Sequence, residues 1–176
     1  DVPVAIRDHL ENDLPAPALP DHRNILVGSN ALSVAAMAAV CAEAKVLDPV
    51  EGDVADAARL ICDAAEGGVT IWGGETTVQL KGTGSGGRNQ ELALRIALEA
   101  RARGWTDWCC LQGGSDGRDG PTDAAGGLVD HATLDRIVAA GGDVDALLAN
   151  NDSYAALALA GDLLITEATG TNVADL

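Results

Sequence analysis

Short apolar runs that stop at glycines, each followed by a helix-like stretch, organise the chain from residue 24 onward. Residues 24–27 (Asn-Ile-Leu-Val) end at Gly28-Ser29-Asn30, residues 69–72 at Gly73-Gly74, and residues 108–112 at Gly113-Gly114. Further short strands are expected over 45–47, 76–80 and 163–165. Helical spacing is expected over 31–44, 53–65, 88–103, 133–140, 144–149 and 153–160. The second of these puts Val54, Ala57, Ala58 and Ile61 on one face. A strand period that alternates with a helix period implies βαβ units. The expected fold is therefore α/β: a mainly parallel or mixed sheet flanked by helices, a Rossmann-like αβα sandwich. In such sheets ligands lie beyond the carboxyl ends of the strands, where these glycines fall. Residues 1–23, with Pro3, Pro15, Pro17 and Pro20, read as an extended arm or linker.

Composition narrows the function. The chain has no Phe, one Tyr and three Trp, so Ala, Leu and Val must fill the core. Its 176 residues suit one domain, or one domain and a piece of another. Eleven Lys and Arg against 27 Asp and Glu give a net charge of −16, and Lys45 and Lys81 are the only lysines. Such a chain offers no basic surface for nucleic acid and is repelled by anionic membranes. The longest apolar stretch, 31–42, has 12 residues, too few to span a bilayer. No signal peptide is visible, and the first residue is Asp1 rather than Met, as in a fragment. Cys41, Cys62, Cys109 and Cys110 form no C-x-x-C pair and read as buried free thiols of a reducing, cytoplasmic setting. His9, His22 and His131 are scattered and complete no zinc spacing.

The segment 82–87 satisfies G-x-G-x-x-G with Gly82, Gly84 and Gly87, after a strand and before a helix. It is open to three readings. It can be a dinucleotide loop, with Asp116 as a loosely placed ribose acid. A Walker loop fails, because Arg88-Asn89 stands where Lys-Ser/Thr is required. The third reading is another anion site, in which amides of Gly84, Ser85, Gly86 and Gly87 converge, the helix adds partial positive charge, and Arg88 supplies a fork.

Other polar clusters lie near the same strand ends. Glu75 follows Gly73-Gly74 and is either a solvated turn residue or a carboxylate near a metal or a substrate hydroxyl. Residues 115–123 (Ser-Asp-Gly-Arg-Asp-Gly-Pro-Thr-Asp) carry hard oxygen donors suited to Mg²⁺ or Ca²⁺. The same residues also suit Asx turns and a helix cap. Asn151-Asp152-Ser153 reads as the cap of the next helix, and Thr169-Gly170-Thr171-Asn172 as a turn or a pocket wall.

Taken in order, Gly73-Gly-Glu-Thr-Thr-Val78, Gly84-Ser-Gly-Gly-Arg-Asn-Gln-Glu91, 115–126, Asn151-Asp-Ser-Tyr154, Thr169-Gly-Thr-Asn-Val173 and Asp175-Leu176 resemble the MOFRL domain of the glycerate 2-kinase family. Some members of that family are called hydroxypyruvate reductase. The resemblance covers about residues 67–176. Residues 1–66 then read as a linker and the end of the family's Rossmann-like N-terminal domain. The resemblance implies Mg²⁺-dependent transfer of the γ-phosphoryl of ATP to glycerate, giving 2-phosphoglycerate, in a cleft between two domains. It makes Arg88 the catalytic residue. It places Gly84, Ser85, Gly86, Gly87, Asn89, Ser115, Thr171 and Asn172 against substrate or phosphate, and Glu75, Asp116 and Asp119 near the metal. Its implied partners are glycerate, ATP and the rest of the N-terminal domain, with a homo-oligomer left open. Ser115 stands where the family usually has Thr, and the lysine expected in the N-terminal domain is missing. The 176-residue chain alone is therefore expected to be inactive. An NAD(P)-dependent hydroxypyruvate reductase and a non-catalytic anion-binding module are the alternatives.

Overall fold

A computed structural model describes residues 2–12, 18, 20–65 and 67–176. Within these residues the chain order is α1 (Val4–Glu11), α2 (Asn30–Val40), β1 (Lys45–Val46), β2 (Val50–Asp53), α3 (Val54–Ala64), β3 (Thr70–Ile71), β4 (Gly74–Thr77), α4 (Arg88–Ala102), β5 (Cys109–Gly113), β6 (Gly126–Asp130), α5 (Thr133–Ala139), α6 (Val144–Ala149), α7 (Ser153–Ala160) and β7 (Leu163–Leu164). β1 pairs with β3 and β2 with β4, both parallel. β5, β6 and β7 form an antiparallel sheet. The last residues stitch the two halves together. Asp175 exchanges backbone hydrogen bonds with Gly74 at 3.2 and 3.0 Å, and Leu176 does so with Gly113 at 2.9 Å in each direction. The expected α/β fold is present, as small parallel and antiparallel sheets flanked by helices.

Local chemistry explains where the main helices start. Ser29 Oγ accepts the Leu32 N–H and opens α2, and Asp53 Oδ1 accepts the Ala55 N–H at 2.9 Å and opens α3. On α3, Val54, Ala57, Ala58, Ile61 and Cys62 are buried, the face its apolar spacing marked. α4 lies at the centre and packs on α3, β5 and β6. Leu92, Leu94, Val129, Ile137 and Leu157 fill the core, with Ala93, Ala97, Ala125 and Ala156 between them. None of the described helices is long and apolar enough to cross a membrane.

Several expectations are corrected. Val4–Glu11 is a helix with no buried residue, not an extended arm. Pro3 sits at its N-cap, where a proline is tolerated. Pro15 and Pro17 of that arm lie outside the described residues. Residues 24–27 form no strand, and Ile25, Leu26 and Val27 are exposed. α2 stops at Val40, four residues before its expected end, and buries only Val34. β2 and β6 have no alternating pattern and are made by their partners, Val50–Asp53 by β4 and Gly126–Asp130 by β5. β4 begins at Gly74, two residues before the expected start. A Cβ there would meet the Val50 carbonyl oxygen at 2.1 Å, so glycine permits the approach to β2. Cys62 and Cys110 are buried, but Cys109 is exposed and Cys41 is half-buried.

The buried opening of α4 depends on a side chain from a distant loop. Asp119, 3% exposed, takes the Asn89 N–H on Oδ1 at 3.1 Å and the Gln90 N–H on Oδ2 at 2.8 Å. Gln90 Nε2 adds a third donor at 3.1 Å, and Asn89 Nδ2 a fourth at 3.3 Å. Burial pushes the Asp119 carboxyl above its usual range, although the Gln90 and Asn89 amides pull the other way.

Two outcomes follow from this packing. Burial raises the Cys62 thiol to about 11 and the Cys110 thiol to about 12. Alkylation of the native chain near pH 8, read by mass spectrometry, should therefore modify Cys109 first and spare Cys62 and Cys110 until the chain is denatured. Asp119→Asn puts an NH₂ group against amide donors and should cost about 1–2 kcal/mol in urea denaturation. The folded carboxyl of Asp119 sits above its unfolded value. The stability it contributes is complete below the unfolded value and is lost as pH rises through the folded one. The deficit of the variant should therefore shrink across that window, and a constant deficit would contradict the assignment.

Candidate functional site

The glycine loop between β4 and α4 lies on the turn that joins α6 to α7. Asn151 Oδ1 accepts the N–H groups of Lys81 and Gly82 at 2.7 and 3.0 Å, and Asn150 Oδ1 accepts that of Thr83 at 3.0 Å. The Asn150 carbonyl takes the Gly84 N–H at 2.8 Å, and Asp152 Oδ1 takes that of Ser85 at 3.0 Å. Asn151 can serve this way because it adopts the left-handed conformation, at φ 54°, and Asn tolerates it. Asp152 sits at the N-cap of α7 but makes no capping bond there. Asn151 and Asp152, expected as a helix cap, instead hold the glycine loop.

These bonds divide the expected phosphate cradle. The amides of Gly84 and Ser85 are already used inside the chain. Among the described residues, no acceptor reaches the N–H groups of Gly86, Gly87 or Arg88. The fit is tight: a Cβ on Gly86 would lie 2.1 Å from Ser153 Oγ, and one on Gly87 2.3 Å from Asp119 Cγ. Asp119 occupies the next two amides, so its carboxylate is an internal counter-charge to the helix dipole and has no oxygen left for a metal. The same carboxylate sits where a dinucleotide loop would need its pyrophosphate.

Arg88 opens α4 and is about one-third exposed. Its Nε donates to Asp175 Oδ2 at 2.5 Å and its Nη2 to Asp175 Oδ1 at 3.0 Å. Nη2 also lies 3.3 Å from Glu75 Oε1, whose side chain is 63% exposed. The Asp175 hydrogen bond raises the guanidinium further above its usual value, so Arg88 is a permanent cation. Asn89 is buried beneath it and donates through Nδ2 to Asp175 Oδ1 at 3.0 Å.

A second cluster adjoins the first at Gly114, where a Cβ would lie 3.3 Å from Asp116 Oδ1 and 3.5 Å from Asn89 Nδ2. Asp116 Oδ1 accepts the Arg118 N–H at 2.9 Å, an Asx turn, and Oδ2 accepts from Asn172 Nδ2 at 3.3 Å. Ser115 Oγ accepts the Val173 N–H at 2.8 Å. Thr171 and Asn172 are exposed on the adjoining loop. Among the described residues, no three His, Cys, Asp or Glu side chains converge as a metal site.

Of the expected residues, Arg88, Asn89, Glu75 and Asp119 come together, with Ser115, Asp116 and Asn172 beside them. Asp175 holds the first group together. Its side-chain role had no signal in spacing or pattern, only its place in a recurring Asp-Leu pair. Arg88 lines neither of two concavities of the molecule. One, of about 400 Å³, is bordered by Asp53, Arg59, Lys81, Glu91 and Arg95. The other, of about 820 Å³, is bordered by Trp72, Trp105 and Trp108. The Arg88 cluster reaches the surface through Glu75 and the partly exposed guanidinium.

Comparison with known proteins places this geometry in a family. Residues 68–175 match the MOFRL family. A D-glycerate 2-kinase of Thermotoga maritima is 44% identical over 78% of this chain and 38% of its own length. A glycerate 2-kinase of Pyrococcus horikoshii is 36% identical over 98% of this chain and 44% of its own. The crystal structure of a Thermotoga maritima glycerate kinase superposes with a TM-score of 0.74 at 37% identity, over 86% of this chain and 40% of that one. A Pyrococcus horikoshii crystal structure gives 0.77 at 36% identity, over 99% and 45%. The chain thus spans about two fifths of the length of these relatives. With a family match over more than half its residues and a shared fold along most of its length, the chain belongs to the MOFRL family.

Proposed function

We propose that the chain is the C-terminal part of a cytoplasmic glycerate 2-kinase that transfers the γ-phosphoryl of ATP to the 2-hydroxyl of glycerate. In this reading residues 67–176 are the MOFRL domain and residues 1–66 belong with an N-terminal domain. The observation that carries it is Arg88: a permanent cation, held on two of its nitrogens and about one-third exposed, beside the free amides of Gly86, Gly87 and its own backbone. The glycerate oxygen attacks the γ-phosphorus, the bond to the departing ADP oxygen breaks, and the hydroxyl proton is released to water. Negative charge spreads over the phosphoryl oxygens in the transition state, and a preorganised guanidinium with adjacent N–H groups stabilises that charge. The 2-kinase names of the relatives support the substrate and the hydroxyl.

The residues also fit a hard cation. Glu75, Asp119 and Asp175 face one guanidinium, so the cluster is anionic by itself and a polyphosphate needs a cation to enter. Mg²⁺ takes one or two carboxylates and completes its shell with water and phosphate oxygens, so a preformed cage is not required. Glu75 is the carboxylate able to turn toward it. Bound there, Mg²⁺ would neutralise phosphate charge. Exposed Ile25, Leu26, Val27 and Val40 suit burial against the N-terminal domain. The free cysteines suit a reducing compartment.

The test is ADP release from D-glycerate and Mg-ATP by the whole protein and its Arg88→Ala variant. The variant should lose about 10²-fold or more in rate. EDTA should abolish the activity of the parent, and the 176-residue chain alone should show none. Oxidation of NADH with hydroxypyruvate, without ADP release, would overturn the kinase reading.

A further inference from the structure

We propose that Asp175 is a positioning residue for phosphoryl transfer: it fixes which edge of the Arg88 guanidinium meets the substrate, and a buried chain of side-chain amides ending at Trp72 fixes Asp175. The proposal rests on the role given to Arg88 above. Asp175 engages Nε and Nη2 at 2.5 and 3.0 Å, which leaves the Nη1 edge as the free end of the fork. The arginine is about one-third exposed and its partner 4% exposed, so the anchor lies in the protein and the free edge toward solvent.

The anchor is itself held in one orientation. Trp72 Nε1 donates to Gln112 Oε1 at 2.8 Å, Gln112 Nε2 to Asn89 Oδ1 at 2.7 Å, and Asn89 Nδ2 to Asp175 Oδ1 at 3.0 Å. An indole N–H can only donate. It therefore sets the rotation of the Gln112 amide, which sets that of Asn89, which must present its NH₂ group to the carboxylate. Gln112 and Asn89 are 2% and 1% exposed, so water does not compete. The backbone adds to this. Ala174, just before Asp175, is held at φ 65°, a costly conformation for alanine. Ser115 N–H donates to the Ala174 carbonyl at 3.0 Å, and Asn30 Nδ2 to the Asp175 carbonyl at 2.8 Å. Strain kept in place by several bonds, directly beside the residue that, among the described residues, alone grips Arg88 by two nitrogens, fits a built positioning device.

A double-mutant cycle in the whole protein decides the matter, with kcat/KM for glycerate-dependent ADP release as the readout. Asp175→Asn should lower kcat by about 10²-fold in the parent, the scale of an ångström of misplacement, and leave KM for ATP near its value. In the Arg88→Ala background the same change should cost under about twofold, because the group it positions is gone. Equal losses in both backgrounds would make Asp175 merely structural and overturn this proposal alone. Undiminished activity of Arg88→Ala would overturn the role of Arg88, and this proposal with it. If Asp175→Asn fails to fold, Trp72→Phe replaces it. It removes only the terminal donor and should give a smaller loss of kcat that again disappears without Arg88. A Trp72→Phe loss that persists without Arg88 refutes the relay.

Discussion

A carboxylate from one loop closes the first turn of the central helix, and much of the structure is arranged around that contact. Asp119 meets the amides of Asn89 and Gln90 where the dipole of α4 concentrates its positive end. Gly87 must lack a side chain to let it in. Thr122 and Gln90 bind around it, Thr122 Oγ1 donating to the Asp119 carbonyl and accepting from Gln90 Nε2. The loop 115–122 is thereby tied to the glycine loop. A buried anion is costly unless its lone pairs are used, and here four donors use them. With that end of α4 closed from within, an incoming anion is left with the amides one step earlier and with Arg88.

The second organising contact is the seam made by the last residues. Backbone bonds from Asp175 and Leu176 join the parallel β2–β4 sheet to the antiparallel β5–β6–β7 sheet. The side chain of Asp175 simultaneously grips Arg88. A sheet connection and a site residue are thus one feature, so the geometry of the guanidinium is referred to the sheet and not to a loop. Rigid elements hold a site more closely than loops do.

What could be read in the sequence was local. Ser29 and Asp53 announce their helices, the face of α3 follows from spacing, and α4 to α7 begin within a residue of where the glycine and polar signals put them. β2 and β6 could not be read, because Val-Glu-Gly-Asp and Gly-Gly-Leu-Val-Asp carry no period and exist by pairing. The site divides in the same way. Arg88 and the glycines stand out in a line of text. Asp116 and Asp119 look alike there, yet one forms a turn with its own neighbours and the other reaches 29 residues back to cap α4. Asn151 resembles a cap for the helix after it, and the fold gives it to the loop before. For Asp119 and Asn151 the partner the fold supplies is not the one nearest in sequence.

The seam also bears on the order in which the molecule is made. Asn30 reaches the carbonyl of Asp175 across 145 positions, and Arg88 reaches its carboxylate across 87. Contacts between such distant positions must close long loops, a cost paid before the contact rewards it. On a ribosome, residue 175 is the last of the group to emerge. Its pairing with Gly74 supplies the backbone connection between the parallel and antiparallel sheets at this seam. The aim of the Arg88 guanidinium is thus set by residues far along the chain from it, and the direction of the arginine depends on the strand pairing that Asp175 makes.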